Sequence, residues 1–303
     1  MDTRISSRNS GIRYAAAAFG AWGILPLYWR MLNHIPAGQI LAHRIFWSFI
    51  FVSILLSVSS RWKEVWSVFA DIKKLLLVVT SSLLISVNWF LYIWAVNSNH
   101  VVETSLGYYI NPLLSVLLGV VVLNERLSFW QLVSLVLAAS GVTVITIGYG
   151  QVPWLAISIA GSFGLYGLVK KVTKLEATIA LALETMLVAP LALGYLGYLE
   201  MHSGNQFGQL SLATMLLLMG GGIVTAMPLL WFAQATNRVP LSTVGFLQYL
   251  SPTISLIIGV LIFREPFSHI QLLSFSLIWI ALVLYSVANR PFMVRLQQIF
   301  THN

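Results

Sequence analysis

The fold is decided by a stretch of 24 residues that occurs twice, as YINPLLSVLLGVVVLNERLSFWQL at 109–132 and as YLSPTISLIIGVLIFREPFSHIQL at 249–272. Aligned without a gap, the copies share nine residues, including a Pro, a Gly, a Glu and a Gln in one register. Chance matching of two Leu- and Val-rich segments would not readily place these four types together. The same offset of 140 residues relates Leu41 and Ala42 to Leu181 and Ala182, and Ala95 and Asn97 to Ala235 and Asn237. We therefore interpret the chain as an internal duplication.

Composition places the duplicated chain in a membrane. Hydrophobic residues make up 58% of its 303 residues and charged residues 9%, whereas soluble domains usually carry about 25% charged residues. The apolar residues fall in blocks of about 20, the length that crosses a hydrocarbon layer as a helix. Runs such as 113–123 lack the alternating polarity of a transmembrane barrel. The sequence predicts an all-α membrane protein with ten transmembrane helices, near 13–33, 37–59, 73–97, 103–123, 128–148, 152–170, 177–199, 211–235, 240–263 and 269–289.

The positive charges of the chain lie mostly on one side of these ten segments. With a cytoplasmic N-terminus, Arg30 and Arg264 are the two cations outside, and Arg44 lies within a helix. This bias predicts a bacterial inner-membrane protein with both termini in the cytoplasm. It accounts for the net charge of +8 by topology, so no nucleic-acid partner is expected. The cations assigned to the inside are Arg4, Arg8, Arg13, Arg61, Lys63, Lys73, Lys74, Arg126, Lys170, Lys171, Lys174, Arg238, Arg290 and Arg295.

The two copies are predicted to be inverted relative to each other. We place the first five-helix repeat at 11–149, the second at 151–289 and a cytoplasmic tail at 290–303. Because five is odd, the second copy enters the membrane from the opposite side, and a pseudo-twofold axis in the membrane plane should relate the halves. Secondary transporters commonly have this architecture, with the solute site near the midplane.

Several motifs resemble those of the RarD-type permeases, which belong to the EamA branch of the drug/metabolite transporter superfamily. They are WGILP at 22–26, AHRIFWS at 42–48, NWFLYIWAVN at 88–97, SLGYYINP at 105–112, SFGLY at 162–166 and QYLSP at 248–252. The resemblance covers about residues 11–289. It implies ten helices, two EamA domains, a central cavity and export rather than enzymatic activity, but it supplies no solute.

Arg44 and Glu184 are the principal site candidates. They are 140 residues apart, and each lies about seven residues into an apolar helix. An ionisable residue inside a membrane span is by default a functional hypothesis. We expect Arg44 and Glu184 to bind the solute and Glu184 to couple transport to a proton, with His43 as a second coupling candidate because histidine titrates near neutral pH. The alternatives are snorkelling of Arg44 to headgroups and a structural hydrogen bond for Glu184. A salt bridge between Arg44 and Glu184 is left open.

Aromatic and amide side chains could line a cavity for amphipathic solutes. The alternative is ordinary packing together with the aromatic belts of membrane interfaces. The candidates are Trp22, Asn88, Tyr92, Tyr108, Tyr109, Asn111, Tyr166, Trp231, Gln248 and Tyr249.

Two prolines and two glutamates occupy equivalent positions in the repeats. Pro112 and Pro252 should bend their helices, either as static kinks or as hinges for alternating access. Glu125 and Glu265 follow 13 residues later, and we expect them at helix ends as gates or caps.

These features predict a secondary transporter of small metabolites or drug-like compounds, working by alternating access. Partners would be the solute, the lipid bilayer and a proton as candidate coupling ion, without a metal or cofactor. One alternative is an intramembrane enzyme, which would need a motif such as H-E-x-x-H or G-x-S-x-G; neither occurs. The other is a non-transporting membrane sensor or scaffold.

Overall fold

The computed structural model describes residues 2–97, 101–150, 152–202, 207–264, 268–288, 290 and 292–293. Within these residues the protein is entirely helical. One 3-10 turn, Phe207–Gln209, accompanies the α-helices. The α-helices are α1 (Asp2–Arg30), α2 (Ala37–Val58), α3 (Trp62–Phe69), α4 (Ile72–Asn97), α5 (Val101–Val121), α6 (Phe129–Tyr149), α7 (Trp154–Thr173), α8 (Ala177–His202), α9 (Leu212–Arg238), α10 (Leu241–Gln248), α11 (Leu250–Leu261) and α12 (His269–Val287).

Eight helical stretches of the described chain are long and apolar enough to cross a membrane: α2, α4, α6, α7, α8, α9, α10–α11 and α12. Two helices of the ten-helix prediction fall outside this group. The first part of α1 is polar, and the apolar part of α5, Ser105–Val121, is shorter than the others. The fold is therefore that of a multi-pass membrane protein. The number of ten membrane-spanning helices stays a prediction.

The short helix α3 lies where the sequence predicted a hydrophilic break. Val65 and Val68 are buried, whereas Trp66 and Phe69 are exposed. At the start of the helix the Arg61 guanidinium binds Glu64 and lowers the pKa of that carboxyl. A helix of eight residues is too short for its 3.6-residue periodicity to be recognised among the charged residues around it.

The segment predicted as one helix at 240–263 is two helices, α10 and α11, which meet at Tyr249. Pro252 lies in the first turn of α11 and has no N–H to donate to residue 248, so the helix is weakened at this point. In contrast, α5 continues through Pro112. The two prolines thus have different effects on their helices in this conformation.

The helix contacts follow the offset of 140 residues. That offset relates α1 to α7, α2 to α8, α4 to α9, α5 to α10–α11 and α6 to α12. Helix α1 packs against α9 and α11, and its equivalent α7 packs against α4 and α5. Three further pairs, α2 with α8, α6 with α12 and α5 with α10, join equivalent helices. Exchanging the two halves therefore leaves this set of contacts unchanged.

Local structure in the duplicated stretch repeats as well. Asn124 and its equivalent Arg264 both have left-handed backbone conformations, with φ of 53° and 57°. Four residues later Ser128 and Ser268 begin α6 and α12, and each serine N–H donates to the side chain of a glutamine three residues on. The shared residues of the two copies thus specify the same helix start.

Close helix packing positions α2 against α9. A Cβ atom added to Gly222 would lie 2.4 Å from backbone and side-chain atoms of Trp47. The Ser48 hydroxyl donates to the Gly222 carbonyl at 2.9 Å. This contact brings Arg44, one turn earlier on α2, against the middle of α9.

Candidate functional site

A buried ion pair joins α7 and α8. Lys170 Nζ lies 2.8 Å from Glu184 Oε1, and the side chains are 5% and 3% exposed. The sequence predicted Lys170 as a cation at the inner end of a helix. In the structure α7 extends to Thr173, and the Lys170 side chain folds into the bundle to reach the carboxylate.

Two hydroxyls complete the surroundings of the Glu184 carboxylate. Ser81 on α4 donates to Oε1 at 2.7 Å, and Tyr166 on α7 donates to Oε2 at 3.1 Å. Each carboxylate oxygen therefore has a donor in addition to the ion pair. Three helices, α4, α7 and α8, meet at this one charged group.

A small cavity adjoins the pair. The space open to a water-sized sphere is about 10 Å³, close to the minimum that one water molecule needs. Asn237 at the end of α9 is exposed and lines the cavity, so the cavity extends from the pair towards the bundle surface. Its lining is Val78, Ser81, Lys170, Thr173, Leu175, Ala180, Glu184, Ala233 and Asn237.

Arg44 occupies a different environment from its equivalent Glu184. Its Nε donates to Thr225 Oγ1 at 2.9 Å, and its guanidinium carbon lies 4.5 Å from the ring centroid of Trp29. Tyr92 and Tyr108 are close enough to interact with it electrostatically. Arg44 thus has aromatic and hydroxyl neighbours. The salt bridge left open by the sequence is not formed, since Glu184 is paired with Lys170.

Three predicted cavity residues carry buried polar atoms without a hydrogen-bond partner in the described part of the chain. They are Asn111 Oδ1, Gln248 Oε1 and the Tyr249 hydroxyl. Asn111 lies on α5, and Gln248 and Tyr249 lie at the α10–α11 junction. Because α5 and α10 pack together, these unpaired atoms come from the crossing of two equivalent segments. Buried polar groups are almost always paired, so this crossing has unused hydrogen-bonding capacity.

Several polar candidates lie between Arg44 and Glu184 without forming one continuous chain of contacts. Tyr108, beside Arg44, and Asn111 are three residues apart on α5 and therefore share a face. Asn111 Oδ1 would lie 3.8 Å from a Cβ at Gly164 on α7. On the same helix, Tyr166 reaches Glu184. The polar candidates thus form a discontinuous path between the two charged sites.

Other predicted residues serve packing. Asn88 donates to the Ile159 carbonyl at 2.8 Å and to the Ser162 hydroxyl at 3.0 Å, joining α4 to α7. Tyr109 meets Phe275 edge to face. Trp22 and Tyr166 belong to one aromatic cluster. Trp22 and Trp231 both pack against the hydrophobic core that contains Tyr166. The cluster consists of Phe19, Trp22, Phe163, Tyr166 and Phe232.

The histidine and glutamate candidates lie away from the pair. His43 packs against Phe207 with ring centroids 4.9 Å apart, and both its nitrogens are buried without a partner among the described residues. Glu125 accepts hydrogen bonds from the backbone N–H groups of Leu241 and Ser242, at 2.6 and 2.8 Å. It therefore caps α10 from the segment between α5 and α6. Glu265 lies outside the described residues.

Sequence reasoning missed four residues of these sites: Ser81, Lys170, Trp29 and Thr225. The repeat contained a signal for Ser81, because its equivalent is Gly221, over which Arg44 lies. Lys170 was hidden by its place at a predicted helix end. In the described ranges no group of three His, Asp or Glu side chains is gathered as a metal site would require.

The fold and the buried charges define a multi-pass helical membrane protein with ionisable groups inside its bundle. A model of the EamA-like transporter family matches residues 9–147 and again residues 152–287. The chain therefore belongs to the EamA-like transporter family.

Two named relatives agree with this assignment, and a solved structure shares the fold. The chain is 49% identical to the uncharacterized transporter YojE of Bacillus subtilis (strain 168), over 93% of this chain and 95% of that protein. It is 41% identical to Protein RarD of Salmonella typhi, over 91% and 94%. A crystal structure at 17% identity matches the fold with a TM-score of 0.70, over 94% of this chain and 99% of the other. Together these relatives indicate a bacterial membrane transporter.

Proposed function

We propose that the protein is a secondary transporter of small amphipathic solutes, which works by alternating access between two inverted five-helix repeats. The observation that carries the proposal is the set of unpaired buried atoms on Asn111, Gln248 and Tyr249. A solute lying between α5 and the α10–α11 junction would supply the missing hydrogen bonds. The aromatic cluster beside this crossing would supply apolar contact area.

The exchange-symmetric helix contacts support the inverted repeats. The family model also matches the chain twice, once in each half. Two equivalent halves provide two related packings of one bundle, which is the basis of alternating access. Pro112 and Pro252 are the proposed hinges, since one of the two equivalent helices is interrupted and the other is not.

The cytoplasmic ends of the halves are proposed to separate when the site opens inward. Two contacts between the halves would break in that step. One is the cap that Glu125 provides for α10, and the other is the ion pair of Arg61 with Glu176, at 3.3 Å. Export is the direction that the family resemblance implies, and an outward gradient of the solute would drive it.

The proposal is tested with purified protein and proteoliposomes. Thermal stabilisation is first measured with a panel of amino acids, drugs and nucleotides, and stabilising compounds are then tested for counterflow. We expect at least one stabilising compound to show counterflow. Asn111→Leu should weaken its binding, because the solute loses a polar contact. A lack of counterflow for every stabilising compound would favour the sensor or scaffold alternative.

A further inference from the structure

In the buried ion pair Lys170–Glu184, the carboxylate uses more of its hydrogen-bonding capacity than the ammonium group does. The carboxylate receives three donors, from Lys170, Ser81 and Tyr166. The ammonium group has three protons to donate. Among the described residues, however, Glu184 is the one acceptor within hydrogen-bond distance of it. The cation therefore has unused capacity for a second acceptor, and it borders the cavity.

The groups around the pair are otherwise uncharged. Helix α4 presents Val78 and Ser81, and α9 presents Ala233 and Asn237 to the cavity. Helix α7 contributes Tyr166 in addition to Lys170. Helix α2 meets α8 through Ala42 and Ile45, while its His43 packs against Phe207. Arg61, before α3, pairs with Glu176, the residue before α8. No other described charge is therefore placed to neutralise Lys170 if Glu184 leaves it.

This arrangement couples a proton to an anion. If Glu184 alone were protonated, Lys170 would stay buried as an uncompensated cation, which is strongly unfavourable. An anion that approached Lys170 without a proton would face the Glu184 carboxylate, which is equally unfavourable. When both arrive together, the site remains neutral throughout. The apolar side chains that line the cavity beside the ammonium are Val78, Leu175, Ala180 and Ala233. The Tyr166 ring centroid lies 5.4 Å from Lys170 Nζ.

We propose that Lys170 and Glu184 form a binding site for a small monoanion with an apolar body, such as an aromatic sulfonate or carboxylate, in a conformation that opens the cavity beyond the water-sized space present here. The anion replaces Glu184 as the counter-ion of Lys170, and the Glu184 carboxylate takes one proton from solvent. The pair changes from carboxylate and ammonium to carboxylic acid and an ammonium–anion pair, so its net charge remains zero. This inference rests on the proposed transport function and assigns it an electroneutral coupling of one proton to one anion.

The coupling has a measurable consequence for affinity. Because one proton is taken up with each anion, the affinity of the wild type should fall about tenfold between about pH 7 and about pH 8. A neutral solute of the same shape needs no proton, so its affinity should not change over this range.

The test uses benzenesulfonate and neutral benzenesulfonamide as a matched pair of probes. Benzenesulfonate is an anion at every working pH, so any proton taken up on binding goes to the protein. Binding to purified protein is measured by thermal stabilisation, and proton uptake by a pH indicator in weakly buffered solution. We expect benzenesulfonate to bind with uptake of one proton and benzenesulfonamide to cause none. Binding of the anion without proton uptake, or no binding of the anion, would overturn the proposal.

Four variants separate the proposed roles. Glu184→Gln resembles the protonated acid, so it should bind benzenesulfonate without proton uptake and with an affinity independent of pH. Lys170→Met should lose anion binding. Lys170→Met leaves the buried Glu184 carboxylate without a partner, which destabilises the fold. The double variant Lys170→Met/Glu184→Gln avoids this, and it should also lose anion binding. Lys171→Met is the control on the same helix: its side chain donates to the Val239 carbonyl, so proton uptake should persist.

The outcomes distinguish this inference from the transport proposal. If Glu184→Gln loses benzenesulfonate binding as completely as Lys170→Met, Glu184 does not act by exchanging its proton, and the site assignment is wrong. Counterflow of some other solute would then still support a transporter. If neither the probes nor the wider solute panel gives counterflow, the transport proposal itself fails.

Discussion

Lys170 and Glu184 form a buried ion pair, whereas their equivalents in the first repeat, Arg30 and Arg44, are both cations. Lys170 Nζ lies 2.8 Å from Glu184 Oε1. Two arginines cannot pair in this way. Instead the guanidinium carbon of Arg30 lies 4.0 Å from the ring centroid of Phe263, and that of Arg44 lies 4.5 Å from the centroid of Trp29. One half therefore has an ion pair whose net charge is zero. The other half has two arginines that lie over aromatic rings.

The first prediction concerns the stability of the Lys170–Glu184 pair. Lys170→Met and Glu184→Gln should each lower the free energy of unfolding by about 3–5 kcal/mol, because each leaves one buried charge without its partner. The double variant should cost less than either single variant, since it leaves no charge unpaired. A double-variant cycle in a denaturant titration measures the coupling. Additive costs would show that the two side chains do not stabilise each other.

The second prediction concerns Arg44 as an anion contact. Arg44→Gln should weaken binding of an anionic solute at the crossing of α5 with the α10–α11 junction roughly tenfold, and of a neutral solute much less, because the lost interaction is an electrostatic attraction. Binding of benzenesulfonate at Lys170 should not change. Arg44→Lys should retain part of the effect, since it keeps the charge but loses the planar group that stacks on Trp29. Binding is followed by thermal stabilisation. Arg126→Gln, an exposed arginine, is the control; an equal loss in that variant would indicate a nonspecific charge effect.

The third prediction concerns the cap that Glu125 gives to α10. Glu125→Ala removes the acceptor for two backbone N–H groups and should destabilise the fold by about 1–2 kcal/mol. Glu125→Gln retains one acceptor oxygen and should cost less. Glu64→Ala is the matched control, because that carboxylate lies in an exposed pair of the kind that contributes little. If all three variants unfold alike, Glu125 does not hold α10.

The fourth prediction concerns the contact between α2 and α9. Gly222→Ala would place a methyl group 2.4 Å from Trp47 and should destabilise the protein by about 1–3 kcal/mol, as overpacking does. Gly161→Ala meets no atom within 4 Å and should be neutral or stabilising, because alanine favours helices. Thermal unfolding of both variants measures the difference in stability. Equal stability of the two would mean that these helices are not closely packed.

The fifth prediction concerns orientation in the membrane. The chain has no cysteine, so single cysteines report accessibility without background. In intact cells a membrane-impermeant maleimide should label Val152→Cys, which follows α6, and should not label Lys63→Cys on α3. Lysis should expose the second site. The reverse pattern would place the N-terminus outside.

Much of the helical layout followed from the sequence, because membrane spans depend on runs of apolar residues that are directly visible. The repeat likewise predicted equivalent helix starts at Ser128 and Ser268. The sequence predicted a bend at each proline, but it did not distinguish the two: α10 and α11 are separate helices, whereas α5 continues through Pro112. Whether a proline interrupts a helix depends on the tertiary contacts that restrain it.

The candidate site was only partly predictable. Arg44 and Glu184 stood out as charges within apolar segments, but their partners did not. Lys170 lay at the end of an apolar segment, where lysine is usually a cytoplasmic charge. It meets Glu184 because α7 and α8 both pack against α4, which the sequence does not show. Asn88 was a cavity candidate with ordinary packing as its alternative, and the sequence alone did not show that its amide joins α4 to α7.

The most direct test of the account is proton movement during solute flux. Proteoliposomes that contain a trapped pH indicator are given an inward gradient of radiolabelled benzenesulfonate. We predict that the label enters together with protons, one for each anion, and that an imposed membrane potential leaves the rate unchanged because the step is electroneutral. Glu184→Gln should carry the label without protons. Entry of the label into wild-type vesicles without acidification, or at a rate set by the membrane potential, would contradict the account.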